Sequence, residues 1–352
     1  MGMAFMSTFF GLILLLMMVG PYLLPLPELT DVAPAQTLAR PAGKFLRLPW
    51  PGTDGIQFYY EHDEYTGAQA TPPVFILMHG FAANLSSWDS IRPWLARQGH
   101  VIAYDRIPFG LSERVLPEQW EEDNPYTDQA AVAQLSSLLD TLKVEQAILV
   151  GNSAGGNLAM QLALTQPERV QALLLLSPSV YTGSPAILSM VAAIPPLRRA
   201  GLLLSRRLAS SGKLLEMAFH DPSLITQQQR DNTALIAKVD NWDTAFWEFV
   251  RASRMRNINV SERLDELRMP LLLISGDNDR IVATRETIRL AAALPDATLE
   301  ILPDCGHLPQ QECPEAVINA IGQWLVTQQP TLFPATSQGL KKETDQKLNQ
   351  GL

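Results

Sequence analysis

Hydrophobic positions along the chain follow two alternating rhythms. Short, nearly continuous apolar runs recur at Lys44–Leu48, Ile56–Glu61, Val74–Met78, Val101–Tyr104, Ala147–Val150, Ala172–Leu176, Leu271–Ile274 and Thr298–Leu302. Runs such as FILM, AILV, ALLLL and LLLI lack the polar alternation of a half-exposed sheet, and they predict strands covered on both faces. Amphipathic stretches separate them. Thr127–Leu142 carries a helical stripe through Ala130, Val132, Leu135, Leu138, Leu139 and Leu142. Further helices are predicted over Leu85–Gln98 (opened by Asn84), Ala154–Leu164 and Pro314–Val326. This alternation over 44–328 predicts an α/β protein, a mostly parallel central sheet flanked by helices.

The rhythm fails between Pro178 and Met269, where helical segments occur without a convincing strand. A helical cap over about 179–268, inserted between the sixth and seventh predicted strands, is the expectation. After Gln328 the chain is polar and broken by Pro and Gly, so 329–352 is expected to be a disordered tail. No internal repeat is visible.

The N-terminus has a different character. No side-chain charge occurs from Met1 to Pro27, and Ala4–Val19 is apolar apart from Ser7 and Thr8. A spanning helix needs about 20 apolar residues, so 1–24 is expected to form a single membrane anchor, followed by a Pro/Ala-rich linker over 25–43. The alternatives are a signal segment and a buried core helix. Ala33-Pro34-Ala35 offers a small-x-small cleavage site, though the basic start of a signal peptide is missing. The expected localisation is therefore the membrane, with export after signal cleavage as the alternative. The side of the membrane stays open, because Arg40, Lys44 and Arg47 beyond the segment are offset by the nearer Glu28 and Asp31.

Composition narrows the function. The 352 residues are 47% hydrophobic and 18% charged, enough to bury a large core. A net charge of −9 without a strong basic run argues against a nucleic-acid partner. The two cysteines, Cys305 and Cys313, have no zinc-ligand spacing. They are read as free thiols, with a bridge pinning the loop between them as the alternative for an exported domain.

Four segments carry candidate chemistry. Gly151-Asn152-Ser153-Ala154-Gly155 lies between the apolar run Ala147–Val150 and an amphipathic helix, the strand–turn–helix setting of a G-x-S-x-G nucleophile elbow. His79-Gly80-Phe81 follows Val74–Met78, Ser275–Val282 follows Leu271–Ile274, and Asp304-Cys305-Gly306-His307 follows Thr298–Leu302. A serine nucleophile needs an adjacent base, and that base needs a carboxylate to fix its tautomer. Of the five histidines only His307 follows a late strand in a Gly-His turn.

On these segments the chain resembles the α/β-hydrolase superfamily over roughly Val74 to Val326. The resemblance implies Ser153 as nucleophile, His307 as base and Asp279 as acid, in the chain order usual for this fold. It also implies an oxyanion hole from the N–H groups of Phe81 and Ala154. His79 then holds its turn by packing and hydrogen bonding, and the loop Asp105-Arg106 with Phe109-Gly110-Leu111-Ser112 has a structural role. Asp279, three residues after Gly276 and followed by Ile281-Val282, fits the family's acid position better than Asp277. Serine at 153 disfavours the relatives with an aspartate nucleophile, haloalkane dehalogenases and epoxide hydrolases. Neither a metal nor a cofactor is implied.

The substrate side is read from the expected cap. Ile187–Phe219 is apolar with Arg198, Arg199, Arg206, Arg207 and Lys213 against the single acid Glu216. Such a stretch either lies on an anionic membrane surface or is a solvated charged face over core leucines. Trp242, Phe246 and Trp247 are candidates to line an apolar pocket. The reading is hydrolysis of a small, lipophilic carboxylic ester through an acyl-enzyme, with membrane association. A carbon–carbon bond hydrolase of the same fold, or a triad-bearing receptor with little turnover, is the alternative. Oligomeric state is left open.

Overall fold

The computed structural model describes residues 2–121, 123–181, 194–209, 212–252 and 259–332. Strands β1 (Gly43–Leu48), β2 (Ile56–Asp63), β3 (Val74–Met78), β4 (His100–Tyr104), β5 (Ala147–Asn152), β6 (Val170–Leu176), β7 (Leu271–Gly276) and β8 (Thr298–Leu302) form one sheet. Its order is β1-β2-β4-β3-β5-β6-β7-β8. The β1–β2 and β2–β4 pairs are antiparallel, and β4, β3 and β5 to β8 run parallel. Every expected strand is present.

The near-continuous apolar runs are explained by two cores, one on each face. Ile76, Met78, Leu149, Leu173, Leu175 and Leu273 pack on one side with Leu135, Leu138, Leu158 and Leu162. Their sequence neighbours Phe75, Leu77, Ile148, Val150, Leu174 and Leu272 pack on the other with Trp88, Leu95, Ile321 and Trp324. Alternate residues of one strand thus feed opposite layers, as the two-residue repeat of a strand requires.

The flanking helices include α1 (Gly2–Leu23), α2 (Arg92–Leu95), α3 (Asp128–Thr141) and α4 (Ala154–Thr165). Between β6 and β7 come α5 (Pro195–Ala209), α6 (Lys213–Ala218), α7 (Gln227–Ala234) and α8 (Trp242–Ala252), and no strand among the described residues. Helix α9 (Thr284–Ala293) lies between β7 and β8, and α10 (Pro309–Glu312) and α11 (Pro314–Leu332) follow β8. Thr127 caps α3 by accepting the Ala130 N–H. The helix expected over Leu85–Gln98 is instead a 3₁₀ turn, Leu85–Trp88, and the short α2. Asn84 does open it, accepting the Ser86 N–H, but Pro93 supplies no N–H to carry the helix through. Helix α11 runs to Leu332, past the expected start of the tail, and 333–352 lie outside the described residues.

Two expectations need correction. Among the described residues no helix is long and apolar enough to cross a membrane, which overturns the transmembrane anchor and the membrane localisation drawn from it. The apolar start does become a helix, but α1 holds Pro21 in its last turn and lies against α5. The chain behind it is tied to the body. Arg199 donates to the Leu24 carbonyl, Arg206 to the Pro27 carbonyl, and Ala33 N–H to the Lys238 carbonyl. The cysteines are not free: Cys305 and Cys313 form a disulfide. Eight residues of separation bring their Cα atoms to 6.3 Å, within bridging reach.

Candidate active site

Ser153 sits at the turn from β5 into α4 with φ 54° and ψ −117°. A non-glycine residue there stores strain of about 1–3 kcal/mol, which the surroundings must hold. Hydrogen bonds do so: Ser153 N–H donates to the Leu176 carbonyl at 2.9 Å, and its own carbonyl accepts from Ser179 N–H and Asn157 N–H. Glycine is required beside it, because a Cβ on Gly155 would lie 2.1 Å from the Met78 carbonyl oxygen.

Asp279 and His307 come from the loops after β7 and β8. His307 Nδ1 lies 2.8 Å from Asp279 Oδ2. The other carboxylate oxygen accepts the N–H groups of Ile281 and Val282 at 2.8 and 2.9 Å, so the acid is held at both ends. With a proton on Nδ1, that N–H donates to the carboxylate and Nε2 is left to accept. Both residues are buried, as is Ser153. Asp277 points elsewhere: its Oδ1 accepts from the Asn278 amide at 2.6 Å.

Parallel strands deliver all three residues to one edge of the sheet, and Ser153 and His307 line the same cavity of about 170 Å³. Its walls include Gly80, Phe81, Leu214, Leu215, Ala218, Ile281 and Leu308, with Asn84, Gln229 and Gln311 as polar points. Gly80 passes so near the elbow that a Cβ on it would meet Ser153 Cβ at 3.2 Å. Phe81, on the turn expected to supply an N–H, and Ala154, at the N-terminus of α4, therefore flank the serine.

His79 is fully buried. Its Nε2 accepts the Arg106 N–H at 2.9 Å and its Nδ1 lies 2.8 Å from the Gly80 carbonyl, to which it donates. Burial, aided by the nearby Arg106 charge, pushes its pKa down to about 3. A neutral ring stapling the turn matches its expected structural part. Asp105 does similar work for the next loop, accepting the N–H groups of Leu85 and Leu111 at 2.7 and 2.6 Å. Burial drives its pKa up to about 7 against those two bonds.

The aromatic candidates separate. Phe246 packs against Phe81 with ring centroids 5.5 Å apart and planes tilted by 51°, and so borders the cavity at second hand. Trp242 and Trp247 are buried away from its walls, Trp247 against Leu202 and so close to Gly201 that a Cβ there would touch its ring. Two groups of residues were not foreseen. Asn152 donates to the carbonyls of Leu176 and His307, both at 3.1 Å, and joins the elbow to the histidine loop. The walls from α6 and α7 (Leu214, Leu215, Ala218, Gln229) carry no local signature. Among the described residues, Cys305, Glu312 and Cys313 are the cluster with metal-ligand atoms close together, but its sulfurs are bonded to each other.

Known proteins resemble this chain over most of its length. An uncharacterized hydrolase of Bacillus subtilis, YugF, is 32% identical over 276 residues, 77% of this chain and 95% of that protein. A 2-hydroxymuconate semialdehyde hydrolase of Pseudomonas sp. (strain CF600) is 27% identical over 262 residues, covering 71% of this chain and 86% of that protein. Among solved structures, a bacterial membrane phospholipase A has the same fold, with a TM-score of 0.64 at 22% identity, over 95% of this chain and 99% of that one. The profile of the alpha/beta hydrolase fold matches residues 73–314. This chain therefore belongs to the α/β-hydrolase fold family and is a hydrolase.

Proposed function

We propose that the protein is a serine hydrolase that cleaves an uncharged, lipophilic carboxylic ester. Ser153 Oγ attacks the carbonyl carbon while His307 Nε2 takes its proton, and Asp279 stabilises the imidazolium formed. The carbonyl electrons move onto oxygen, which the N–H groups of Phe81 and Ala154 receive, each contributing about 3 kcal/mol to the transition state. Collapse expels the alcohol with the proton from His307, and water then releases the acid by the same steps.

The observation that carries this reading is the cavity wall. Among the described residues it is mostly apolar and contains neither lysine nor arginine. An anionic substrate buried there would find no cationic partner among the described residues and would lose its hydration. A second reading has its own support. The relatives whose names state a substrate, such as the 2-hydroxymuconate semialdehyde hydrolase, back carbon–carbon bond hydrolysis better than ester hydrolysis. Both chemistries use the same serine and base.

Two assays on the purified chain separate them: p-nitrophenyl esters of increasing acyl length, and a 2-hydroxy-6-oxo-dienoate followed by loss of its colour. The proposal expects ester turnover with little loss of the dienoate. The reverse order would replace it with the carbon–carbon reading. Ser153→Ala should abolish turnover and fluorophosphonate labelling while the protein stays folded. A labelled, active mutant would end both readings.

A further inference from the structure

Glu312 has no part in the chemistry above, yet its carboxylate accepts three backbone N–H bonds beside the histidine loop. Oε2 accepts the N–H of Gly306 at 2.7 Å and of His220 at 3.0 Å, and Oε1 accepts the N–H of Asp221 at 2.8 Å. Gly306 immediately precedes His307, whereas His220 and Asp221 follow α6, which supplies Leu214, Leu215 and Ala218 to the cavity wall. The side chain thus bridges the loop that presents the base and the segment that walls the pocket. A further bond closes the same seam, from His307 N–H to the Ala218 carbonyl at 2.7 Å. The approach is so tight that a Cβ on Gly306 would lie 2.5 Å from the Ala218 oxygen and 2.6 Å from the His220 nitrogen.

We propose that Glu312 is a positioning residue, fixing His307 relative to Ser153 by clamping its loop to the pocket wall. The inference rests on the proposed role of His307 as base. A half-buried carboxylate that accepts several N–H bonds makes charge-assisted contacts, stronger than neutral ones. The disulfide gives the clamp something stiff to act on, since the Cys305–Cys313 ring contains both His307 and Glu312. Asp279 holds the imidazole ring itself, and Glu312 holds the backbone that carries it.

Glu312→Gln keeps the shape but turns an NH₂ toward an N–H that needs an acceptor. In the full-length protein, fluorophosphonate labelling has two readouts. The end point counts intact sites, and the rate reports how well His307 activates Ser153. The clamp predicts a wild-type end point, with labelling rate and p-nitrophenyl ester kcat both reduced about 10- to 100-fold and KM little changed, since an error of an ångström costs that much. Glu312→Asp, which keeps the charge but loses the reach, should show the same split. A reduced end point at wild-type rate in both variants would overturn the proposal in favour of a purely structural part. So would wild-type rate and kcat. A wild-type protein that fluorophosphonate does not label at Ser153 would instead overturn the functional reading, and this proposal with it.

Discussion

Asp277 and Asp279 stand in the same turn, and hydrogen bonding separates what composition cannot. Asp279 shares one oxygen with His307 Nδ1 and gives the other to two backbone N–H groups, whereas Asp277 binds the neighbouring Asn278 amide. Asp279→Asn places an NH₂ where the imidazole N–H must donate, which favours the wrong tautomer. Turnover should fall by about 10⁴-fold, as for a triad aspartate elsewhere. Asp277→Asn should stay within a few-fold of wild type, and ester kinetics on the two mutants decide it. The resemblance to the α/β-hydrolase superfamily pointed to Asp279, because the family's acid position is counted from a glycine in the same turn, here Gly276, and such spacing is a local property. Asn152 and Glu312 were not readable. Each acts on a partner distant in the chain or across a seam between segments, and neither residue type announces such a role.

At the scale of elements, the strands were legible because two-sided burial leaves a continuous apolar run, and α3 because one-sided burial leaves a stripe. The basic stretch around α5 was ambiguous for the opposite reason, since a run of arginines does not reveal its counterions. Folding supplies them from α8, and the N-terminal chain adds the Leu24 and Pro27 carbonyls as acceptors. Arg206 pairs with Asp243 at 2.7 Å and Arg198 with Glu248 at 3.6 Å, and both acids are only 3% exposed. Arg206 and Arg198 are thus part of the packing between helices. Removing one partner of a buried pair strands a desolvated charge, so Arg206→Ala should destabilise the protein by about 3–5 kcal/mol. Chemical denaturation measures this. A loss below about 1 kcal/mol would mean that water already screens the pair.

For the whole molecule, two buried groups pull stability in opposite directions with pH. His79 has its pKa lowered to about 3 in the fold, so its contribution is present above its ordinary pKa of 6.5 and is lost as pH falls through 3. Asp105 has its pKa raised to about 7, so its contribution is present below 3.8 and is lost as pH rises through 7. Between pH 4 and 7 the two partly cancel. Relative to wild type, Asp105→Asn should therefore shift the balance toward greater stability at pH 7, and His79→Asn toward greater stability at pH 4. Thermal melts of both mutants across that range test the signs, whatever constant loss each mutation adds. One topological feature has a longer reach. Strands β6 and β7 are parallel hydrogen-bonded neighbours, with Leu173 opposite Leu271 and Leu176 opposite Ile274, so the helical stretch between them leaves beyond Leu176 and rejoins on the next strand about 10 Å further back along the sheet. Lengthening or rewriting that excursion shifts no strand register, and its closure entropy grows only with the logarithm of its length. The loops after the strands carry Ser153, Asp279 and His307, and the excursion adds Leu214, Leu215, Ala218, Gln229 and Thr233 to the cavity wall. The two can drift independently, so kin that share this sheet are free to differ in what they consume.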